Sequence, residues 1–259
     1  MAESLTDLLW IREKMVYFRY PNLFRKPQLI HGVFTRRGGL SKPPYHSLNT
    51  SYGVGDVQAN VTGNLREIMK VMGADHLIFM NQTHGSDIVV LRKGQYTPTD
   101  NVPSADAMIT NAPYIAIMVK LADCQGVIIF DPVKNVLANV HCGWRGNVKN
   151  IVKRVVIRMK KDFGSTESDL LAAISPSLGP CCGEFVSHKG IFPQTFRRFM
   201  VRENFFDLWA ISQWQLVSAG LREENIEIAG ICTRCRSDLF YSYRGEGKTG
   251  RFGVVAMLK

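Results

Sequence analysis

The sequence lacks the features of a membrane or secreted protein. No apolar run approaches the roughly 20 residues that a membrane-spanning helix requires, and Met1 to Glu13 contain neither the basic start nor the apolar core of a secretory signal. We therefore expect a cytoplasmic protein without a membrane partner. In that compartment its six cysteines should be reduced.

Internal repeats, low-complexity tracts and linkers rich in Pro, Gly and Ser are also missing. The longest loop-like stretches, Arg36–Asp56 and Lys93–Ser104, lie between more regular segments. A chain of 259 residues buries roughly three quarters of its unfolded surface on folding. The hydrophobic content of 46% and charged content of 21% are ordinary for a globular protein. We expect a single domain that spans residues 1–259.

Negative charge is the scarcer sign, and the formal net charge is +10 at pH 7. Such an excess suits a nucleic acid, an anionic small molecule or simply a solvated basic surface. The positive charge is spread along the chain, and no motif of a DNA- or RNA-binding domain is present. We therefore expect no nucleic-acid partner.

Short apolar segments, rich in β-branched residues, fill the middle of the chain and predict strands. Most do not alternate with polar residues, which is typical of a sheet covered on both faces. The predicted fold is therefore α/β, with one mixed β-sheet covered by helices. The predicted strands are Leu77–Met80, Ile88–Leu91, Ala107–Thr110, Ile115–Leu121, Val127–Phe130, Val136–His141 and Phe252–Leu258. The predicted helices are Val57–Met72, Asn147–Phe163 and Phe206–Ala219.

Three polar residues, His84, Cys124 and His141, each follow or end an apolar strand in a segment that contains glycine. Glycine lets the backbone turn sharply and approach a ligand closely. One thiolate and two imidazoles form a normal ligand set for catalytic zinc, with a fourth position left open. The three residues are far apart in sequence, so spacing alone does not show that they converge.

Together with several other segments, these motifs resemble the YfiH-like laccase-domain family. The resemblance extends from about His31 to Lys259, and the motifs occur in the same order at compatible spacings. The segments that carry it are Arg36–Ser41, Ser47–Asn49, Asn81–Gly85, Leu121–Gly126, Val140–Gly146, Ile174–Cys182, Phe240–Arg244 and Thr249–Arg251.

The resemblance implies a catalytic metal bound by His84, Cys124 and His141, with zinc as the expected ion and copper as the alternative. It implies phosphorolysis of adenosine, inosine or S-methyl-5'-thioadenosine, together with adenosine deaminase activity, in a monomer or homodimer. The partners would be a purine nucleoside and phosphate. Some bacterial members are linked to editing of peptidoglycan precursors, which stays an alternative. Only six histidines are present, which argues against a multicopper polyphenol oxidase.

Arginines provide the candidate phosphate ligands. Arg145 stands at the start of a predicted helix, where unpaired N–H groups and the helix dipole favour an anion, and its guanidinium can grip phosphate in a bidentate manner. Arg36 is a further substrate-binding candidate, and Arg244 and Arg251 are alternatives. Gly245 stands where the family commonly has a second arginine, which weakens the case for Arg244.

Deamination also needs a proton carrier, and a carboxylate is the usual one. Asp123 and Asp106 are nearest to the metal ligands in sequence, and Asp123 is included among the substrate-binding residues.

Cys142 departs from the small residue usual in the family. Because it follows His141 on a strand, its side chain should point to the opposite face, and we expect a buried, inert thiol.

Two cysteine alternatives remain open. Cys124 and His141 could form the nucleophile and base of a Cys–His hydrolase, and a metal on the same residues would consume that thiolate. Cys232 and Cys235 have the spacing of half a structural zinc site or of a redox motif. The sequence offers only the adjacent Cys181–Cys182 as a second pair, so we interpret Cys232 and Cys235 as a structural or incidental pair.

Overall fold

The computed structural model describes residues 9–12, 14–94 and 103–259. Most of the predicted loop Lys93–Ser104 lies outside these residues. The strands are β1 Leu9–Arg12, β2 Met15–Phe18, β3 Leu29–Phe34, β4 His76–Phe79, β5 Ile88–Leu91, β6 Ala107–Thr110, β7 Ile115–Leu121, β8 Gln125–Asp131, β9 Val136–Cys142, β10 Leu171–Ile174, β11 Met200–Arg202, β12 Phe205–Phe206, β13 Ile226–Ile228 and β14 Phe252–Leu258. The α-helices are α1 Pro21–Phe24, α2 Gln58–Met72, α3 Trp144–Val148, α4 Ile151–Phe163, α5 His188–Ile191, α6 Leu208–Ser218 and α7 Tyr243–Glu246.

The strands form two six-stranded sheets and a small ribbon, β11–β12. The first sheet has the order β1-β2-β3-β14-β7-β4, and the second has the order β13-β10-β8-β9-β6-β5. Each sheet is mixed: β4 is parallel to β7 in the first, and β5 is parallel to β6 in the second. The α/β class with mixed sheets is therefore confirmed, but the strands that we expected in one sheet are divided between two.

Alternating side chains of the same strand enter different cores, which explains why the strands are apolar throughout. In β7, Ile117 and Val119 join the core that also contains Ile128 and Phe130 of the second sheet. Met118 points to the other face and packs in the core that includes residues of α2. The helices α4 and α6 pack on the outer face of the second sheet. The resulting layers are helix, sheet, sheet and helix.

A buried amide ties the two sheets together. Asn139 on β9 donates through Nδ2 to the carbonyl oxygens of Ile117 and Val254, both at 2.9 Å. Because both acceptors belong to the first sheet, these hydrogen bonds fix how the two sheets are placed. The ends of β7, β8 and β9 are thereby held in a defined relation.

The predicted helix Asn147–Phe163 is two helices in the structure. Asn150 has a left-handed conformation (φ 52°) and caps α4, its side chain accepting a hydrogen bond from the Lys153 N–H. Asn tolerates this conformation better than most residues. Arg145 therefore lies in the five-residue helix α3 and does not begin a long helix. Among the described helices, none is long and apolar enough to cross a membrane.

Candidate metal site and substrate cleft

His84, Cys124 and His141 converge at one end of the two sheets. Cys124 lies in the turn between β7 and β8, His141 lies near the end of β9, and His84 lies in the connection from β4 to β5. Their ligand atoms are all within 4.8 Å of one another. The Cys124 Sγ is 3.9 Å from the His84 Nε2, and the two imidazole rings are almost perpendicular with centroids 4.9 Å apart.

A buried carboxylate, that of Asp106 at the start of β6, organises these residues. Its Oδ1 lies 2.7 Å from the His141 Nδ1 and accepts the His84 N–H at 3.0 Å. Its Oδ2 accepts hydrogen bonds from the Gly85 N–H and the Thr83 hydroxyl. Burial opposes ionisation, but these hydrogen bonds and the nearby His141 hold the pKa of Asp106 well below its usual range. The carboxylate orients His141 through Nδ1, so that its Nε2 is the ring nitrogen that could bind a metal ion.

Gly143 leaves space for the Cys124 thiol and the His84 ring because it has no side chain. A Cβ at this position would lie 2.8 Å from the Cys124 Sγ and 3.4 Å from Cδ2 of His84. Gly143 has φ −81°, so the need for glycine here comes from space and not from backbone conformation. The two connections that carry Cys124 and His84 turn sharply, since Asp123 and His84 have positive φ values of 87° and 56°.

The two thiols near the site differ in acidity. Burial raises the pKa of Cys124, but His141 and His84 lower it by more than burial raises it, to about 6. Burial likewise lowers the pKa of His141, but Cys124 and Asp106 raise it to about 9. Burial raises the pKa of Cys142, whose Sγ donates to the Asn147 Oδ1 at 3.3 Å. The expected burial of Cys142 is confirmed, and the neighbouring histidines favour the thiolate form of Cys124.

The donor set fits a zinc ion. A tetrahedral ion with bonds of about 2.1–2.3 Å separates its nitrogen and sulfur ligands by about 3.6 Å, close to the distance observed between His84 and Cys124. One thiolate and two imidazoles leave a fourth position, as catalytic zinc requires. The carboxylate behind His141 is the partner that zinc-bound histidines usually have.

A cleft of about 720 Å³ opens onto these ligands. Three of the predicted cations, Arg145, Arg244 and Arg251, line it. Lys120 lines it as well and was missed by the sequence analysis; burial lowers its pKa to about 8. The available signal was a lysine next to the last residue of an otherwise apolar strand. Aromatic side chains of Trp144, Phe185 and Tyr243 also line the cleft.

The structure does not bring Arg36 into this cleft. Its guanidinium is buried, forms a 2.8 Å ion pair with Glu246 and lies over the ring of Tyr241. It also donates to the carbonyl oxygens of His46 and Ser237. These contacts connect two distant parts of the chain.

Asp123 does line the cleft, and its carboxylate already has partners within the protein. Its Oδ1 accepts hydrogen bonds from the hydroxyls of Thr233 and Ser242 at 2.7 and 2.6 Å. Its Oδ2 accepts the Arg244 N–H at 2.6 Å. Asp123 therefore ties the turn that carries Cys124 to the C-terminal part of the chain.

Contrary to the expectation from their spacing, the adjacent Cys181 and Cys182 meet Cys232 and Cys235 in space. The four Sγ atoms all lie within 4.8 Å of one another. Sequence offered no signal for this arrangement, because about fifty residues separate the two pairs.

Residues 30–259 match the family described as multi-copper polyphenol oxidoreductase laccase. The chain is 31% identical over 240 residues to purine nucleoside phosphorylase YlmD of Bacillus subtilis (strain 168), with 86% of each protein covered. It is 29% identical over 249 residues to a purine nucleoside phosphorylase of Bacteroides thetaiotaomicron, covering 90% of this chain and 92% of the relative. The crystal structure of Bacillus licheniformis hypothetical protein YfiH has a TM-score of 0.85 and 29% identity, over 96% of this chain and 97% of that one.

Proposed function

The chain belongs to the multi-copper polyphenol oxidoreductase laccase family, as its motifs predicted, and we propose from this premise that it is a zinc-dependent purine nucleoside phosphorylase that also deaminates adenosine. The observation that carries the proposal is the convergence of His84, Cys124 and His141 at the base of a cleft lined by cations and aromatic rings. When bound, zinc supplies Lewis-acid activation of an oxygen at neutral pH. The relatives named phosphorylases support the substrate class.

The cations of the cleft are suited to phosphate. Arg145 is exposed, and its guanidinium lies over the ring of Trp144 at 4.1 Å. Stacking on an aromatic face holds a guanidinium in place while its N–H groups stay available to an anion. We assign phosphate binding to Arg145; Lys120, Arg244 and Arg251 are the other cations that line the described part of the cleft. The contacts of Arg36 favour a structural role for that residue.

The aromatic residues are suited to a purine. Phe185 and Tyr243 line the same cleft as the metal ligands, and an aromatic ring stacks on a planar base without sequence-specific contacts. Asp123 is the only carboxylate among the described residues that line the cleft. We therefore keep it as the candidate proton carrier for deamination, in addition to its hydrogen bonds within the protein.

Product analysis tests the proposal directly. Purified protein with measured zinc content is incubated with adenosine, inosine and S-methyl-5'-thioadenosine, with and without phosphate. Phosphorolysis should yield the free base only with phosphate, while deamination of adenosine to inosine should not need it. Absence of turnover for all three nucleosides by zinc-loaded protein would contradict the proposal.

A Cys–His hydrolase is the second candidate, and the lowered pKa of Cys124 beside the raised pKa of His141 favours it. A thiolate and an imidazolium are the pair that such an enzyme uses. A chelator should abolish activity of the zinc enzyme, and added zinc should restore it. A hydrolase should instead survive the chelator and be inactivated by alkylation of Cys124.

A further inference from the structure

Four cysteines form a compact group that the proposed nucleoside chemistry does not use. The Sγ atom of Cys235 lies 3.6 Å from those of Cys181 and Cys182, and all four Sγ atoms, with that of Cys232, lie within 4.8 Å of one another. A tetrahedral zinc ion with bonds of about 2.3 Å holds its sulfurs about 3.8 Å apart. A disulfide needs about 2.05 Å. The two distances of 3.6 Å are close to the sulfur spacing around one tetrahedral ion and much longer than a disulfide bond.

We propose that Cys181, Cys182, Cys232 and Cys235 bind a structural zinc ion as four thiolates. Tetrahedral sulfur sites select zinc or iron, and a closed set of four protein ligands is typical of structural zinc. This site is distinct from the one at His84, Cys124 and His141, where an open position remains.

Backbone hydrogen bonds shape the two loops that carry the four cysteines. The Cys182 N–H donates to the Gly179 carbonyl at 2.9 Å, and the Arg236 N–H donates to the Cys232 carbonyl at 3.0 Å. Each loop therefore turns tightly at its cysteines. The loops are joined by a β-bridge between Ser177 and Cys232. The turn at Cys182 explains how adjacent residues serve as two ligands, which the sequence spacing did not predict.

Glycine permits the close approach of the two loops. A Cβ at Gly179 would lie 3.0 Å from the Cys232 Cβ and 2.7 Å from the ring of Trp209. Four thiolates around one divalent ion leave two negative charges, and Arg234 stands between two of the ligands in sequence. Arg202 donates to the Cys181 carbonyl at 3.1 Å.

The ion would stabilise the turn that carries Cys124. Thr233, which lies between Cys232 and Cys235, donates to the Asp123 carboxylate at 2.7 Å. From the other loop, the Leu178 N–H donates to the Asp123 carbonyl at 2.9 Å. Both loops of the four-cysteine site therefore hold the residue that precedes Cys124. Structural zinc here would cross-link the loops behind one wall of the cleft.

Metal counting tests this site without any nucleoside. Protein prepared under reducing, oxygen-free conditions and analysed by mass spectrometry of the metals should contain two zinc ions per chain. Cys124→Ala should keep one, and Cys235→Ser should keep the other. Cys142→Ala, which removes a buried thiol outside both groups, should keep both. Cobalt substituted into Cys124→Ala should show intense thiolate-to-metal absorption, and the same treatment of Cys235→Ser should lose most of it.

A conservative variant keeps the test decisive if Cys235→Ser does not fold. Cys235→His should retain the second zinc with weaker affinity, since three cysteines and one histidine are also a common zinc set. A wild-type chain with one zinc that disappears in Cys124→Ala would overturn the proposal. Iron or copper in place of the second zinc, or a disulfide within the group under reducing conditions, would overturn it as well. Failure of nucleoside turnover would leave these counts unchanged.

Discussion

The Nδ1 atom of His141 lies 2.7 Å from the Oδ1 atom of Asp106, and that same oxygen accepts the N–H of His84. One buried carboxylate thus orients one imidazole through its ring and the other through its backbone. Because His141 lies on β9 and His84 lies in the connection from β4 to β5, Asp106 couples the positions of two separate segments. Zinc affinity should therefore depend on a residue that does not touch the metal.

Replacing Asp106 should weaken zinc binding while the ligands remain. Asp106→Asn removes the negative charge and replaces one of the two acceptor oxygens with an NH2 group, so either the His141 and His84 donors or the Thr83 and Gly85 donors lose their acceptor. Loss of such a partner typically reduces metal affinity about 10- to 100-fold. Competition with a chelating indicator measures the change. Asp131→Asn is the matched control, because Asp131 is equally buried but caps a turn at the opposite end of β8. Equal loss of zinc affinity in both variants would contradict the role of Asp106.

The ligands themselves should be required for zinc but not for the fold. Replacing His84, Cys124 or His141 with Ala should abolish tight binding at this site. Circular dichroism and thermal unfolding should stay close to wild type, because the core between the sheets and the core outside each sheet consist almost entirely of other side chains. Cys142→Ala serves as the control beside His141. Full zinc content and activity in Cys124→Ala would refute the assignment.

A methyl group at Gly143 should disturb the site selectively. The added Cβ would lie 2.8 Å from the Cys124 Sγ, and the sulfur can turn away from the metal more easily than the backbone can move. We expect Gly143→Ala to lose about tenfold or more in zinc affinity, with a Tm change below about 3 °C. Gly190→Ala, where a Cβ meets nothing within 4 Å, should change neither. Unaltered zinc affinity in Gly143→Ala would show that the space is not needed.

Much of this architecture could be predicted from the sequence, because it depends on local patterns. Strands β5, β6, β7 and β14 have the predicted bounds, and His84, Cys124 and His141, which were singled out through the family resemblance, do lie together. The division into two sheets could not be predicted, because strands covered on both faces look alike whether the cover is a helix or another sheet. Asn139, which joins the sheets, resembles any polar residue in a strand.

The errors concern residues whose partners are distant in sequence. Arg36 has the side chain of a phosphate ligand, but its ion pair with Glu246 spans 210 residues and was invisible in the motif. The four cysteines are a similar case, since only folding brings Cys181 and Cys182 to Cys235. One further error is local. At Asn150 a single left-handed residue divides a periodic segment into α3 and α4, and apolar periodicity continues across it.

Zinc affinity at the His84–Cys124–His141 site should increase with pH. Without metal, Cys124 and Asp106 raise the pKa of His141 to about 9 despite its burial, and His141 and His84 lower the pKa of Cys124 to about 6. Zinc takes the thiolate and the neutral imidazole, so between about pH 7 and 9 it displaces the proton of His141. The logarithm of the binding constant should rise by about one per pH unit in this interval, and more steeply below it. Calorimetry in buffers of different ionisation enthalpy would measure the released proton, and zinc binding without proton release at pH 8 would contradict the coupling of the pair.

Phosphate binding by Arg145 should separate the two proposed reactions. Loss of a charge-assisted hydrogen bond typically costs about 1.5–3 kcal/mol, which corresponds to roughly ten- to a hundredfold in rate. Arg145→Ala should therefore weaken phosphorolysis strongly and spare deamination, in which water and not phosphate is the nucleophile. Arg145→Lys should recover only part of the loss, because a point charge does not reproduce the planar guanidinium.

The measurement for Arg145 follows adenine and inosine separately as adenosine is consumed across a phosphate titration. Arg198→Ala is the matched control, since the Arg198 guanidinium also stacks on a tryptophan, Trp214, at 4.4 Å but does not line the cleft. Adenine formation should fall in Arg145→Ala and stay unchanged in the control, with inosine formation similar in both. If both products of Arg145→Ala fell together at every phosphate concentration, Arg145 would serve the structure of the cleft. Phosphate would then have to bind at Arg244, Arg251 or Lys120, which also line the cleft.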